Sequence, residues 1–510
     1  MPGITPPNDS LKKMQGRYDK VGVVARLHIA RRRPNERTGS SGELSKRFTI
    51  ITYGCQMNRY DSETITGYLT AEGYEPGDDP EGADLILLNT CSIRDRAEQK
   101  VFSQLGRLRK LKKKNPNLKI GVCGCFATRE GERIAKRNGD VDLIFGTQNI
   151  SKLPEMLRGI EAGRVCDTET VEPDFSELAP IRRSCGPSAY VSIARGCDNF
   201  CSFCVVPYTR GPEWSKPSAL IVEEIEAAVR EGFREIHLLG QNVNSYGKKT
   251  EGEPTFGGLL RRLDEAQGLE RIRFMTSNPQ DCGEDMIGAM AECKKVCEHL
   301  HLPVQSGSDE VLRRMERGYT AEEYLAKMAL YRERVPGGAI TSDIIVGFPG
   351  ETDADFEDTL RVLKESRYDN IYLFKYSPRP GTPADGMAGQ VADEAKDERF
   401  RAVQQLQREI SEELHRGLEG SVVEVMVEGP LREKAGNSPG GGESGGGLLQ
   451  ISAPRRYMGR SRANHRVHFH FEGPPPQIGE MVEVEVLRGS VSNLGGVALP
   501  QGAVLEERAT

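Results

Sequence analysis

From residue 46 onward, short apolar runs alternate with stretches of helical spacing. Arg47 to Tyr53, Ala83 to Asn89 and Leu118 to Val122 have the length and texture of strands. Asp61 to Glu72 and Asp95 to Lys114 separate them and space their apolar residues along one helix face. That order predicts a parallel sheet with crossover helices. A Pro/Glu/Asp-rich link runs from about Cys166 to Pro187, after which the alternation resumes. Tyr190 to Ala194, Glu235 to Leu239, Arg271 to Met275, His299 to Pro303, Ile340 to Val346 and Ile371 to Tyr376 give six strands, with helical stretches between most of them. This is the pattern of an incomplete (β/α)6 barrel rather than a second small sheet. A helix from about Asp393 to Arg416 ends at Gly417, and the texture then changes. Val422, Val425 and Val427, then Val467, Phe469 and Phe471, then Val482, Val484 and Val486 alternate with polar partners, the period of two expected of a small β-barrel. Ser438 to Gly447, with two Gly triplets, reads as a flexible loop inserted between its strands.

The predicted organisation is therefore α/β with an added all-β domain: a flexible leader (1–45), a parallel-sheet domain (46–162), a barrel (183–415) and a terminal β domain (416–504). A length of 510 residues agrees, at ~100–200 residues per domain. The leader carries Arg31-Arg32-Arg33 without periodicity. Its acids Asp9, Asp19, Glu36 and Glu43 argue against an organelle transit peptide. With 69 Lys+Arg against 75 Asp+Glu the net charge is −6, which excludes a molecule coated in basic surface but leaves room for a local basic patch. No apolar stretch approaches the ~18 residues of a membrane span, and twelve cysteines in this length are too few for a secreted disulfide scaffold. The expected setting is the cytoplasm, without membrane association, and the expected state a monomer.

The placement of the cysteines carries the chemistry. Cys55, Cys91 and Cys125 each follow one of the first three strands. A parallel sheet delivers such ends to one edge, so the three thiols can converge there on a metal. Any one of them fits as a small buried hydrophobe, but burial alone does not account for their shared place at strand ends. Cys123 is an alternative to Cys125, although strand alternation aims it at the opposite face. A sharper signal follows the first barrel strand: Cys197-Asp198-Asn199-Phe200-Cys201-Ser202-Phe203-Cys204, a CxxxCxxC loop. Three thiolates in a short loop can hold a 4Fe-4S cluster with one iron left open. Structural zinc normally takes four protein ligands, and the loop offers no fourth Cys or His. Cys166, Cys185, Cys282, Cys293 and Cys297 show no partner pattern beyond the nearness of Cys293 and Cys297 to His299 and His301.

The loop and its barrel resemble the radical S-adenosylmethionine (SAM) superfamily. A three-cysteine domain, such a barrel and a small β domain together resemble the radical SAM methylthiotransferases, over roughly residues 46 to 500. Several motifs look like their tRNA-2-methylthio-N6-dimethylallyladenosine synthase branch: Tyr53-Gly54-Cys55-Gln56-Met57-Asn58, Leu88-Asn89-Thr90-Cys91-Ser92-Ile93-Arg94, Val205-Val206-Pro207-Tyr208-Thr209-Arg210-Gly211, Leu239-Gly240-Gln241-Asn242-Val243-Asn244, Leu302-Pro303-Val304-Gln305-Ser306-Gly307-Ser308 and Gly347-Phe348-Pro349-Gly350-Glu351-Thr352. Two departures stand out: Pro212 and Lys216 where that pattern leads one to expect Glu and Arg, and the Gly-rich insert.

The resemblance implies two 4Fe-4S clusters, an auxiliary one on Cys55, Cys91 and Cys125 and a radical SAM cluster on Cys197, Cys201 and Cys204, with no side-chain acid or base. Two SAM molecules are spent per turnover, one as methyl donor and one as radical source. The implied reaction converts N6-isopentenyladenosine at position 37 of tRNA, beside the anticodon, to its 2-methylthio derivative. The same chemistry on threonylcarbamoyladenosine or on a ribosomal-protein aspartate is the alternative. An electron donor and a sulfur source of unstated identity are implied as well. Gln241, Asn242, Ser277, Gln305 and Ser306, at strand ends on the face where such barrels place their sites, are the candidate SAM contacts. RNA binding has independent support in Arg455-Arg456-Tyr457-Met458-Gly459-Arg460-Ser461-Arg462-Ala463-Asn464-His465-Arg466, which carries five Arg and no acid in a terminal domain that resembles the TRAM domain, an OB-like RNA-binding barrel. Arg107 to Lys114 is a second basic run.

Overall fold

The computed structural model describes residues 24–26, 45–91, 95–173, 178–431 and 455–500. Most of the leader and the whole Gly-rich stretch 438–447 lie outside them. In the N-terminal domain β1 (Arg47–Tyr53), β2 (Leu85–Thr90) and β3 (Lys119–Gly124) are adjacent and parallel. Two strands of three residues, β4 (Leu143–Phe145) and β5 (Val165–Asp167), extend the sheet. Cys166 is thus in a strand, and the link begins after it. Val24–Arg26, within the leader, pairs antiparallel with β1.

Strand β2 is buried along its whole length, as expected of an inner parallel strand covered on both faces. On one face Leu85 and Leu87 pack with Phe48, Ile65 and Leu69, the last two from α1 (Gln56–Ala71). On the other, Ile86 and Leu88 meet Val101, Leu105 and Leu108 of α2 (Asp95–Lys114) and Ile134 of α3 (Cys125–Arg137). Helix α1 begins at Gln56 rather than Asp61, directly behind Cys55.

The six barrel strands fall where the pattern places them: β6 (Ser188–Ser192), β7 (Glu235–Leu239), β8 (Arg271–Phe274), β9 (His299–His301), β10 (Ala339–Val346) and β11 (Asn370–Lys375). They form two parallel three-stranded sheets, in the orders β8-β7-β6 and β9-β10-β11, joined by a bridge between Ile272 and Val296. Strands β6 and β11 are left as unpaired edges, so the barrel is open along one side. A helix from Val206 to Arg210, α4, follows the CxxxCxxC loop, and α5 (Asp393–Arg416) runs from the barrel to the terminal domain. There β12 (Val422–Pro430), β13 (Arg455–Ser461), β14 (Arg466–Phe471), β15 (Met481–Gly489) and β16 (Leu494–Ala498) close into a barrel in the order β12-β13-β14-β16-β15. Val425, Val427, Val467, Phe469, Val484 and Val486 fill it.

The terminal barrel is fixed to the lower end of the (β/α)6 barrel by arginines. Arg271 and Arg273 alternate onto one face of β8 and are both buried. Arg271 donates to the Glu424 carboxylate at 2.7 Å, to the Glu424 carbonyl and to the Arg460 carbonyl. Arg273 pairs with Glu235 at 2.7 Å and donates to the carbonyls of Ser461 and Arg462. In return Arg462 grips Glu298 at 2.6 Å and the carbonyls of Lys294 and Val296. Two arginines of the run expected to face RNA are therefore engaged within the protein, since Arg460 also pairs with Glu428 at 2.9 Å.

Candidate metal centre

The loops after β1, β2 and β3 bring Cys55, Cys91 and Cys125 to one edge. Cys55 caps α1 and is exposed, Cys91 follows β2 and is buried, and Cys125 opens α3 and is buried. The glycines ahead of two of them permit the approach. Gly54 has φ +140° and a Cβ there would stand 2.8 Å from the Cys91 Cβ; Gly124 has φ +91° and a Cβ would stand 2.4 Å from the Thr90 carbonyl oxygen. Asn58 and Asn89 tie the first two loops together. The Asn58 amide donates to Asn89 Oδ1 at 3.0 Å and to the Thr90 carbonyl, while Asn89 donates to the Asn58 carbonyl at 2.8 Å and to Ser62. The motif asparagines thus act as the frame of the site, a role their spacing alone did not reveal. Cys123 sits apart, in the apolar cluster with Phe48, Leu85 and Phe145, and burial pushes its thiol far up.

In the second triad Cys197 and Cys201 are buried and Cys204 partly so. The loop is held from three sides. The Cys197 N–H donates to the Gly211 carbonyl at 3.1 Å, the Gly196 N–H to Gln241 Oε1 at 2.6 Å, and the Ser202 N–H to the Met315 carbonyl at 3.1 Å. Burial pushes the Cys197 thiol up to about 11 and the Cys204 thiol up to about 12, so loading a metal means displacing protons. Donors await the thiolates. Arg317 Nη1 lies 3.2 Å from Cys201 Sγ, and the Val206 N–H 3.4 Å from Cys204 Sγ.

Arg210, at the end of α4, links the two triads. Its guanidinium donates to Asp61 of α1 at 2.9 Å, and its charge opposes the upward push of burial on the Cys125 thiol. Burial alone would loosen its proton; Cys125, Asp61 and Cys55 around it hold the proton on and push its pKa up. Met57 and Tyr60 of α1 pack on Leu239 of β7 across the same boundary. Arg210 belongs to the motif that ends at Gly211, but nothing in the sequence shows that it reaches the first domain.

Three thiolates on one tetrahedral zinc stand about 3.8 Å apart, from Zn–S distances of ~2.3 Å. Among the described residues Asp369, His415 and His465 have ligand atoms within 4.8 Å of one another; neither cysteine triad draws in to that distance, nor do Cys293 and Cys297 with the nearby histidines.

The candidate SAM contacts divide into two groups. Gln241 is bonded to the cysteine loop. Ser277 Oγ and Asn242 Oδ1 are buried without a protein partner, as expected of atoms that await a polar ligand. Gln305, beyond the end of β9 and bridged to Ile344 of β10, holds a left-handed φ of 72°, its N–H bonded to the Asp343 carbonyl. Ser306 is fully buried, its hydroxyl shared with Thr359 and the Ser308 N–H in the turn. Lys216, the departure from the motif, is buried against Glu224. Asp343, unremarked in the sequence, lies on β10, and burial pushes its carboxyl up to about 7.

A cysteine-edged sheet domain, an open (β/α)6 barrel with a CxxxCxxC loop and a docked β-barrel define a radical SAM enzyme with two cysteine centres. Residues 191–363 match the radical SAM superfamily and residues 47–146 the uncharacterized protein family UPF0004. The tRNA-2-methylthio-N(6)-dimethylallyladenosine synthase of Carboxydothermus hydrogenoformans is 44% identical over 456 residues, 89% of this chain and 99% of that protein. Its namesake in Geobacter metallireducens is 46% identical over 450 residues, 88% and 97% of the two chains. The radical SAM methyltransferase TsrM of Kitasatospora setae, at 17% identity and a TM-score of 0.51 over 67% of this chain and 75% of its own, shares the fold. The chain belongs to the family of tRNA-2-methylthio-N(6)-dimethylallyladenosine synthases.

Proposed function

We propose that this chain installs a methylthio group at C2 of N6-isopentenyladenosine 37 in tRNA, at a cost of two SAM molecules, with Cys55, Cys91 and Cys125 holding an auxiliary 4Fe-4S cluster and Cys197, Cys201 and Cys204 a radical SAM cluster. The reading is carried by Arg210, at the end of the helix behind the CxxxCxxC loop, whose 2.9 Å bond to Asp61 of α1 supports a wall shared by the two centres. When bound, the clusters supply the electron for SAM cleavage and the site for sulfur. The protein's own part is positional. Arg317 and the Val206 N–H stabilise thiolates, Arg210 neutralises Asp61 beside the first triad, and Gln241, Asn242, Ser277, Gln305 and Ser306 are the proposed SAM contacts. The tRNA is gripped by the arginines of the terminal barrel that internal pairing leaves available. Among the described residues no helix is long and apolar enough to cross a membrane; the proposed setting is the cytoplasm.

Anaerobic reconstitution tests the assignment. The intact chain is expected to hold about eight irons and each triple Cys→Ala variant about four. The variant of Cys55, Cys91 and Cys125 keeps SAM cleavage and loses methylthiolation; the variant of Cys197, Cys201 and Cys204 loses both. Nucleosides of tRNA from a deletion strain should lack the methylthio product and accumulate its isopentenyl precursor. An unchanged nucleoside profile, or a colourless protein inert toward SAM, refutes the proposal.

A further inference from the structure

The lumen of the open barrel holds an aromatic strip that neither cysteine centre uses. Strand β11 alternates sharply in exposure. Ile371 and Leu373 pack into the main core, whereas Tyr372 and Phe374 are 45% and 48% exposed, among the most exposed large apolar side chains described. The register of β11 on β10 sets Tyr372 opposite Asp343 and Phe374 opposite Ile345, so these four side chains share the face turned away from the core helices. A closed barrel fills this space with its own side chains. Here β11 is an edge strand, and the space beside it stays open.

The surroundings indicate what fits there. At the upper end Ile345 packs beside Phe348, and Phe348 stacks edge-on against Phe203 of the CxxxCxxC loop at 6.5 Å. The strip therefore leads to the cysteine loop. His301 stands edge-on to Tyr372 at 5.6 Å, with its Nε2 3.5 Å from Asp343 Oδ1. At the lower end His465 of the terminal barrel bonds Asp369, the residue before β11, at 3.0 Å, which sets the neighbouring Arg466 at the foot of the strip. The occupant must thus offer an apolar or flat aromatic part to the strip, an anionic group to Arg466, and a reactive atom to the cysteine loop. SAM is a poor match, since its charged groups call for the polar atoms at the strand ends. An adenosine carrying a branched five-carbon chain within a polyphosphate backbone meets all three demands.

We propose that Tyr372 and Phe374 form the wall against which the N6 alkenyl chain of the substrate adenosine packs, and that this contact lets the enzyme select alkenylated over unmodified tRNA. The inference rests on the function proposed above and adds the determinant of substrate choice. Because the contact is made by apolar area rather than by a specific bond, the strip discriminates by what it buries.

The test uses reconstituted holoenzyme and two anticodon stem-loop RNAs, with and without the N6-dimethylallyl group. The wild type is expected to bind the alkenylated RNA more tightly. Phe374→Ala and Tyr372→Ala should each reduce that preference about tenfold (~1.4 kcal/mol), with iron content and SAM cleavage retained. Phe374→Leu should restore most of the preference. Should an alanine variant lose its clusters, Phe374→Leu and the other alanine variant still decide the matter. A preference unchanged within about twofold in both alanine variants overturns this inference alone, and so does a loss of stability without change in preference, which would mean that a protein segment covers the strip. A wild type that neither prefers nor methylthiolates the alkenylated RNA overturns the proposed function as well.

Discussion

Replacing Arg273 with Met strands a buried charge at the junction of the two barrels. Arg273 is 3% exposed and its partner Glu235 1%. The carboxylate keeps the Ser188 hydroxyl at 2.6 Å and His237 Nε2 at 3.0 Å but loses its guanidinium. Breaking a buried pair from one side costs about 3–5 kcal/mol. The Arg462 carbonyl also loses the Arg273 donor, at ~1 kcal/mol, while the Ser461 carbonyl loses one donor and keeps the Asn464 N–H. The double variant Arg273→Met/Glu235→Gln removes the stranded charge and should recover most of the first cost, leaving a deficit of about 1–2 kcal/mol. A three-domain chain has no single unfolding free energy, so the suitable assay is native-state hydrogen exchange in peptides spanning β7, β8 and β13.

The pH dependence supplies an independent check. Burial would raise the Glu235 carboxyl, but Arg273 and His237 overcome it and hold the group well below the usual 4.5. A depressed carboxyl contributes stability that is present above its unfolded value and lost as pH falls below it. Without Arg273 that contribution disappears and the variant can protonate Glu235, so the gap between variant and wild type should narrow from pH 7.5 to pH 4. A single-variant cost below about 1 kcal/mol, a double variant as weak as the single, or a gap that widens with acid would refute the reasoning.

Other outcomes follow from the site and the docking surface. Gly124→Ala places a Cβ against the Thr90 carbonyl at positive φ, so Cys125 must move; reconstitution should return about four irons instead of about eight, with SAM cleavage retained. Arg210→Met leaves Asp61 buried beside the first triad and should cut methylthiolation by about 10–100-fold while SAM cleavage, read as 5′-deoxyadenosine, changes little. Arg317→Met removes the donor to Cys201 and should lower SAM cleavage itself by a similar ~10–100-fold. Arg466→Ala should weaken tRNA binding and reduce the salt slope by about one. Arg462→Ala should instead loosen the domain junction, detected as faster exchange in 294–298.

The sequence revealed those features that depend on local pattern. Period-two alternation locates the terminal barrel, and cysteines behind successive strands locate one edge of the sheet. Strands β4 and β5, at three residues each, carry too few positions for a period to show. Pairing across domains was equally out of reach. Arg460 and Arg462 read as part of a basic run because Glu428 and Glu298, which face them, are distant in sequence. The spacing of Arg271 and Arg273 predicts a common face but not that a second domain covers it. Arg210 joins the two triads through a tertiary approach that no linear spacing encodes.

The buried arginine junction has a consequence for how a nucleotide is chosen. A domain on a free linker would search a volume and tolerate many distances between the place where RNA is held and the place where it reacts. Here Arg271, Arg273 and Arg462 clamp the terminal barrel directly to the catalytic one. If the terminal barrel holds the RNA as proposed, the span from it to the cysteine loop is a fixed length, a caliper cut into the fold, and the base expected to react is the one whose distance along the RNA matches it.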